Sequence, residues 1–368
     1  MTSPLFSPIK IKSMNIPNRI VMAPMTRSKS PGGVPGEDVA DYYARRAAAD
    51  VGLIVTEGTT VKRGGSSNDP NVPNFYQPDS LAGWKRVVEK VHAEKGLIAP
   101  QLWHQGMMRK PGTGPNPDAP TDSPSGVTHS GKQVFDPPSS AEVDDMVMAY
   151  ANAAGEAVRL GFDAIEIHGA HGYLIDEFFW DVMNKRDDRF GGSLPARATF
   201  AGDIIRETRK QVGPDTAIIL RFSQWKQQDY TARLAQTPAE FEAFLKVFVD
   251  AGVDVLHASQ RRYWEPEFPD VDGENGLNTA AWAKKLTGLP SITVGSVGLT
   301  GDFEKAFRGE GATVRRLDDL EERLDKGEFD MVAVGRALLQ DPDWATKVRE
   351  GRSDELKDYD AKSLAVLY

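Results

Sequence analysis

The stretch Phe162-Asp163-Ala164-Ile165-Glu166-Ile167, running directly into His168-Gly169-Ala170-His171-Gly172-Tyr173, decides the fold. Its first half is a short, mostly apolar run, the pattern of a strand buried on both faces of a parallel sheet. Its second half gathers two imidazoles, a phenol and two glycines where that strand would end. The same kind of run recurs along the chain. Arg19–Pro24, Val51–Thr56 and Leu97–Leu102 precede it, and Ala217–Arg221, Val253–His257, Ser291–Val294 and Phe329–Val334 follow.

Helical patterns separate the runs. Thr237-Pro238-Ala239-Glu240 is a capping box with proline at the first helical position. Phe241, Phe244, Leu245, Phe248 and Val249 then lie on one face, and Gly252 is the expected stop. Ser139-Ser140-Ala141-Glu142 opens a second helix, with Val143, Met146, Val147, Tyr150 and Ala154 in register, and Leu81, Trp84, Val88 and Val91 mark a third. Such stripes build core and imply no function.

Eight strand-helix repeats predict an α/β chain closed into a (β/α)8 TIM barrel instead of an open doubly wound sheet. No Gly-x-Gly-x-x-Gly follows a strand, so a Rossmann nucleotide domain is not expected. The 368 residues exceed the ~250 of a plain barrel but suit one with insertions. A single domain over 1–368 is therefore expected, although length alone also allows two. The longest insertion, Met107–Pro138, is rich in Pro, Gly and Ser and follows the third strand, which reads as a cap or lid.

Composition narrows the partners. A net charge of −9 disfavours nucleic acid, whose phosphates need clustered Lys and Arg. The absence of cysteine excludes disulfides, thiolate-held iron–sulfur clusters, Cys-ligated zinc and a Cys nucleophile, and it fits a reducing cytosol. The start, Met1-Thr2-Ser3-Pro4-Leu5-Phe6-Ser7-Pro8, has no apolar core with a cleavage site, and no apolar run approaches the ~18 residues of a membrane helix. A soluble, cytoplasmic protein is expected; monomer and homodimer both remain open.

Ligands of this barrel bind at the C-terminal ends of its strands. Those ends carry Pro24-Met25-Thr26-Arg27, Glu57-Gly58, Gln101-Leu102-Trp103-His104, His168 to Tyr173, Arg221, Gly295-Ser296-Val297-Gly298 and Gly335-Arg336. Singly, each has a plain structural explanation, whether a turn glycine or an internally satisfied polar group. Arg221 is harder to explain so, because a guanidinium inside an apolar strand needs an anionic or strongly accepting partner. Glycines and Arg336 after the last two strands also occupy the position where such barrels bind phosphate.

These residues resemble the Old Yellow Enzymes, the FMN-dependent ene-reductases, over nearly the whole chain. The resemblance is carried by Asn18 to Arg27, Gln101 to His104, His168-Gly169-Ala170-His171-Gly172-Tyr173-Leu174-Ile175-Asp176, Arg189-Phe190-Gly191-Gly192-Ser193 and Val334-Gly335-Arg336. The His168-to-Tyr173 block is its most specific part. The resemblance implies bound FMN with NADPH or NADH as reductant. It places Pro24, Met25 and Thr26 along the flavin, Gly58 and Gln101 at the ring, and Arg221 beside N1 and the C2 oxygen. Gly295, Ser296, Gly335 and Arg336 would hold the phosphate. His168 and His171 would receive a substrate carbonyl or nitro oxygen, Trp103 would join them in substrate binding, and Tyr173 would donate a proton.

The implied activity is reduction of the C=C bond of enones, maleimides or nitroalkenes. Reduction of nitro compounds and nitrate esters at the same site is the nearest alternative. The sequence departs from well-known members at His171, where many carry Asn, and at Thr26, where one subclass has cysteine. Gln105-Gly106-Met107-Met108 and Arg261-Arg262-Tyr263-Trp264-Glu265-Pro266 also differ and bear on substrate shape. A metal-dependent hydrolase using His168, His171 and His104 is a distant alternative, lacking the usual carboxylate and a His-x-His after the first strand; no metal is expected. A non-catalytic binding barrel would leave Gln101, Arg221 and Tyr173 without a reason.

Overall fold

A computed structural model describes residues 3–302 and 308–368. Met1 and Thr2, which belong to the N-terminal stretch read above, and residues 303–307 lie outside the described residues.

The chain opens with an antiparallel hairpin, β1 (Ile9–Ile11) and β2 (Met14–Ile16). Eight parallel strands follow: β3 (Ile20–Met22), β4 (Leu53–Thr60), β5 (Ile98–Trp103), β6 (Ala164–His171), β7 (Ala217–Lys226), β8 (Val255–Ser259), β9 (Ser291–Val294) and β10 (Met331–Val334). They close into a barrel in sequence order, with β10 pairing back onto β3 through Val332–Ile20, Ala333–Val21 and Val334–Met22. The expected (β/α)8 barrel is therefore the observed one, and all eight strands fall on the eight runs read in the sequence.

The helices also follow their signals. Pro238–Ala251 begins with the Thr237/Glu240 capping box and ends at Gly252 in the left-handed region, φ 94°. Ser140–Leu160 begins with the Ser139/Glu142 box and ends at Gly161. Pro78–Ala93 buries Trp84, Val88 and Val91.

Strand parity divides the core in two. Ile98, Leu102, Ile165, Ile167, Ile218, Leu220 and Leu256 point outward to the helices. Ala99, Ala164, Ala217, Ile219 and Val255 point inward, where Ile11, Met14 and Ile16 of the hairpin plug the base of the barrel. The hairpin escaped the sequence reading because three-residue strands carry too little pattern. With the base closed by apolar side chains, the upper end of the barrel is left for polar ones.

Several strands run further than expected, β6 and β7 among them. β7 continues five residues past Arg221 to Lys226, and β6 extends through His168 to His171, with a register shift between Gly169 and His171. The Met107–Pro138 insertion is tied down beside the barrel. Arg63 grips Asp122 through Nε and Nη2 at 2.9 and 2.6 Å, while within the insertion Arg109 donates to the Ala119 and Asn116 carbonyls at 3.0 and 2.6 Å. No helix among the described residues is long and apolar enough to cross a membrane.

Candidate active site

The strand ends surround a cavity of ≈ 280 Å³. Pro24, Met25, Thr26, Gly58, Gln101, Trp103, His168, His171, Tyr173, Arg221, Gly295, Ser296, Gly335 and Arg336 all line it, so every site residue named from the sequence meets in one place. They come from seven of the eight strand ends, which only barrel closure can bring together.

Local geometry at the end of β6 is unusual. His171 has φ 67° and Gly172 φ 77°, a left-handed pair that reverses the chain between the second imidazole and Tyr173. Fixed donors hold the turn. His171 N–H donates to Ser223 Oγ at 2.9 Å and Gly172 N–H to Asp176 Oδ2 at 2.7 Å. A Cβ at Gly172 would also lie 1.9 Å from Gln228 Oε1, so a side chain there would displace that amide in addition to straining the left-handed backbone.

The turn delivers three rings to one wall. His168 lies edge-on to His171 and to Tyr173, with centroids 5.1 and 5.2 Å apart, and Trp103 lies edge-on to Tyr173 at 5.2 Å. Gly58 makes room for Trp103: a Cβ there would approach the indole to 3.2 Å. His171 stacks on Trp225, centroids 4.8 Å apart.

Electrostatics fixes the protonation of this wall. Burial, reinforced by the Arg221 charge, pushes both His168 and His171 well below the ordinary imidazole range, so both are neutral near pH 7. His168 Nδ1 accepts the Ala170 N–H at 3.3 Å, which places the remaining proton on Nε2 as a donor. His171 Nε2 is engaged by Ser259 Oγ at 2.7 Å, leaving Nδ1 for a ligand. Burial raises the Tyr173 phenol above its ordinary value, so it keeps its proton.

Arg221 is buried, and its Nη2 donates to Ser259 Oγ at 3.3 Å while Nε has no partner among the described residues. A guanidinium so weakly satisfied by protein suits an anionic or carbonyl-rich ligand edge, and Gln101 stands on the neighbouring wall. At the other end, Arg336 donates to the Asp302 and Gly301 carbonyls at 2.8 and 2.5 Å and lies 3.4 Å from Ser296 Oγ. Gly295, at φ 141°, passes so close to Gln260 that a Cβ would sit 2.6 Å from its carbonyl oxygen. A cation, a hydroxyl and a bare backbone thus share this end of the cavity, a donor set that fits a phosphate. The residues present fit FMN at both of its ends.

His104 does not join His168 and His171. Its Nε2 faces Asp122 Oδ2 at 2.9 Å and its Nδ1 accepts the Gly106 N–H at 3.0 Å, so both nitrogens are committed away from the cavity. No group of three or more His, Cys, Asp or Glu side chains among the described residues could hold a metal. Neither the Gln105–Met108 segment nor the 107–138 insertion lines the cavity, whereas Arg261 does.

Other lining residues carried no sequence signal. Trp225 lies on the extension of β7 and Gln227 just past its end, and Tyr359 and Leu364 come from the C-terminal segment. That segment is held by Arg27, whose Nη2 donates to the Val366 carbonyl at 2.7 Å and to the Leu364 carbonyl at 3.2 Å.

Comparison with known proteins agrees with this geometry. A family model described as the NADH:flavin oxidoreductase / NADH oxidase family matches residues 4–355. The chain is similar to 12-oxophytodienoate reductase 7 of Oryza sativa subsp. japonica, 32% identical over 365 residues covering 94% of this chain and 88% of that one. It is also similar to flavin oxidoreductase hxnT of Emericella nidulans, 31% identical over 372 residues covering 97% and 92%. Among solved structures, morphinone reductase in complex with tetrahydroNAD superposes with a TM-score of 0.80 at 27% identity, covering 98% of this chain and 93% of that one. A family match along almost the entire barrel, together with relatives aligned from end to end, means that the chain belongs to the NADH:flavin oxidoreductase / NADH oxidase family, the Old Yellow Enzymes that its motifs resemble.

Proposed function

We propose that this protein is an FMN-dependent NAD(P)H oxidoreductase that reduces the C=C bond of activated alkenes such as enones, maleimides and nitroalkenes. One observation carries the reading. Two neutral imidazoles and a protonated phenol share the wall above a buried, under-satisfied guanidinium.

Pro24, Met25, Thr26, Gly58, Gln101 and Arg221 would hold the flavin ring, and Gly295, Ser296, Gly335 and Arg336 its phosphate. Bound there, FMN would supply the hydride chemistry that links the nicotinamide reductant to the alkene. The protein residues do the rest. His168 Nε2–H and His171 receive the carbonyl or nitro oxygen and stabilise the charge that develops on it as the β-carbon is reduced. Trp103 packs against Tyr173 and confines the alkene to that wall. The Tyr173 hydroxyl, kept protonated by burial, gives its proton to the α-carbon, a role worth ~10²–10⁴ in rate. Arg221 would set a fixed positive charge against the negative charge that a reduced flavin carries.

We read residues 1–368 as one FMN-binding domain, with 107–138 as a cap docked through Asp122, and its location as cytoplasmic. The test is a visible spectrum of the purified protein followed by NADH and NADPH oxidation with cyclohexenone, N-methylmaleimide and a nitroalkene. A yellow protein with one FMN per chain and alkene-dependent turnover is expected. A colourless protein that takes up no FMN, or a flavoprotein inert toward all three alkenes, overturns the reading.

A further inference from the structure

Below the cavity, the polar layer that carries Gln101 and Arg221 also holds two side chains to which no role has been given, Glu166 and His257. The inward parity that places Ala99, Ala164, Ile219 and Val255 in the lower core places Gln101, Glu166, Arg221 and His257 two residues higher on the same strands. Glu166 and His257 are fully buried, and Gln101 nearly so. Glu166 Oε1 accepts Gln101 Nε2 at 2.8 Å, and Glu166 Oε2 pairs with His257 Nδ1 at 2.7 Å. The second contact passes over β7, which carries Arg221 between His168 on β6 and His257 on β8.

A carboxylate so deeply buried is costly unless it is paired and hydrogen-bonded. Here it has two local effects. A carboxylate only accepts, so it fixes the direction of the Gln101 amide: Nε2 toward Glu166, Oε1 left to the cavity. Its negative charge also faces Arg221 within the same layer and offsets the guanidinium that the cavity sees. His257, whose imidazole burial holds below its ordinary value, is neutral, and its Nδ1–H secures the carboxylate. Its Nε2 has no partner among the described residues, so the ring is oriented by Glu166 alone.

We propose that Glu166, held by His257, is a positioning residue for the bound flavin: it fixes the Gln101 amide and attenuates the Arg221 charge, and so sets how strongly the site favours the reduced cofactor over the oxidised one. This rests on the FMN reading above. Replacing the charge while keeping the shape should expose Arg221 more fully and favour the reduced form.

The experiment is a potentiometric titration of the FMN-loaded protein and its variants. Glu166→Gln is expected to favour the reduced form about tenfold, a positive shift of ~30 mV for a two-electron couple. Glu166→Asp, which retains the charge, should stay within about twofold of the parent, ~9 mV. His257→Leu, which loosens the carboxylate without removing it, should shift the potential the same way by about threefold, ~14 mV. A Glu166→Gln potential within twofold of the parent, or an Asp variant that moves as far as the Gln variant, overturns the proposal. Should Glu166→Gln not retain FMN, His257→Leu decides, and an unchanged potential there overturns it. A parent protein that binds no FMN overturns the cofactor reading itself; a loaded parent with unmoved variants overturns only the role of Glu166.

Discussion

Lys226 Nζ donates to Asp176 Oδ1 across 2.7 Å, and neither side chain has any solvent exposure. The other Asp176 oxygen receives the Gly172 N–H, so this ion pair braces the left-handed turn from which His171 and Tyr173 are hung. Truncating one partner strands the other charge in the core, which typically costs about 3–5 kcal/mol. Asp176→Leu and Lys226→Met should each show that loss in urea unfolding of the FMN-loaded protein. The double variant, with no stranded charge, should be more stable than either single variant. Losses that simply add would mean that the two groups are not energetically coupled.

A second buried carboxyl makes stability depend on pH. Glu57 accepts the Arg27 and Ser28 N–H groups through Oε2, at 2.9 and 3.3 Å, while Oε1 has no partner. Burial raises its pKa to about 7 despite those donors. A folded-state pKa above the unfolded value gives stability that is fully present below the unfolded pKa of ~4.3 and is lost as pH rises through 7. The size is about 4 kcal/mol at most. The melting temperature should fall between pH 5 and pH 8, and Glu57→Gln should flatten that fall. A variant with the full parental slope would remove Glu57 as its source.

The barrel was legible because each strand is a discrete apolar run and the helices between them carry apolar stripes, two of them opened by a capping box. The site was legible because chemistry-bearing residues sit at strand ends, which barrel closure must gather. What stayed hidden depends on parity and on tertiary contact. Glu166 lies inside the very run that was read as a strand, yet counting by two from His168 would have turned it inward beside Gln101. Trp225 and Gln227 were missed because polar residues after Arg221 look like a loop; pairing of Lys226 with His171 keeps Trp225 in the strand, and Gln227 follows directly with its N–H on the His171 carbonyl. Tyr359 and Leu364 reach the cavity only because Arg27, more than 300 residues away, binds the backbone around them, and no local pattern encodes that contact.

The phosphate end of the site can be tested by retention of the cofactor. Arg336 reaches the Gly301 and Asp302 carbonyls from beside Ser296 and lines the cavity. A hydrogen bond to a charged group contributes ~1.5–3 kcal/mol. Arg336→Ala should therefore weaken FMN binding by roughly ten- to a hundredfold, read by fluorescence on dilution. Unchanged retention would take Arg336 out of the phosphate site.

The imidazole pair can be tested with phenols, whose phenolate oxygen resembles the oxygen of a developing enolate. His168→Ala and His171→Ala each remove one donor to a charged oxygen, so each should weaken a phenol by roughly one to two decades. Ser259→Ala, which removes only the hydroxyl against His171 Nε2, should have a smaller effect. The spectral shift on titrating the phenol reports the affinity. Parental affinity in both histidine variants would place the oxygen elsewhere.

Tyr173 is the group whose removal should separate the two halves of the reaction. Its hydroxyl keeps its proton because it is buried, and it stands between Trp103 and His168 on the wall where the alkene would lie. Tyr173→Phe preserves those ring contacts and deletes only the hydroxyl and the proton it would give. Flavin reduction by NAD(P)H needs no proton from this residue and should be largely spared, whereas reoxidation by cyclohexenone should slow by ~10²–10⁴. A nitroalkene forms a stabilised nitronate and can be reduced before it is protonated, so its flavin reoxidation should slow less. Stopped-flow absorbance follows both steps in the same preparation. Equal slowing of both would make Tyr173 a packing residue, because lost packing has no reason to distinguish the step that consumes a proton from the one that does not.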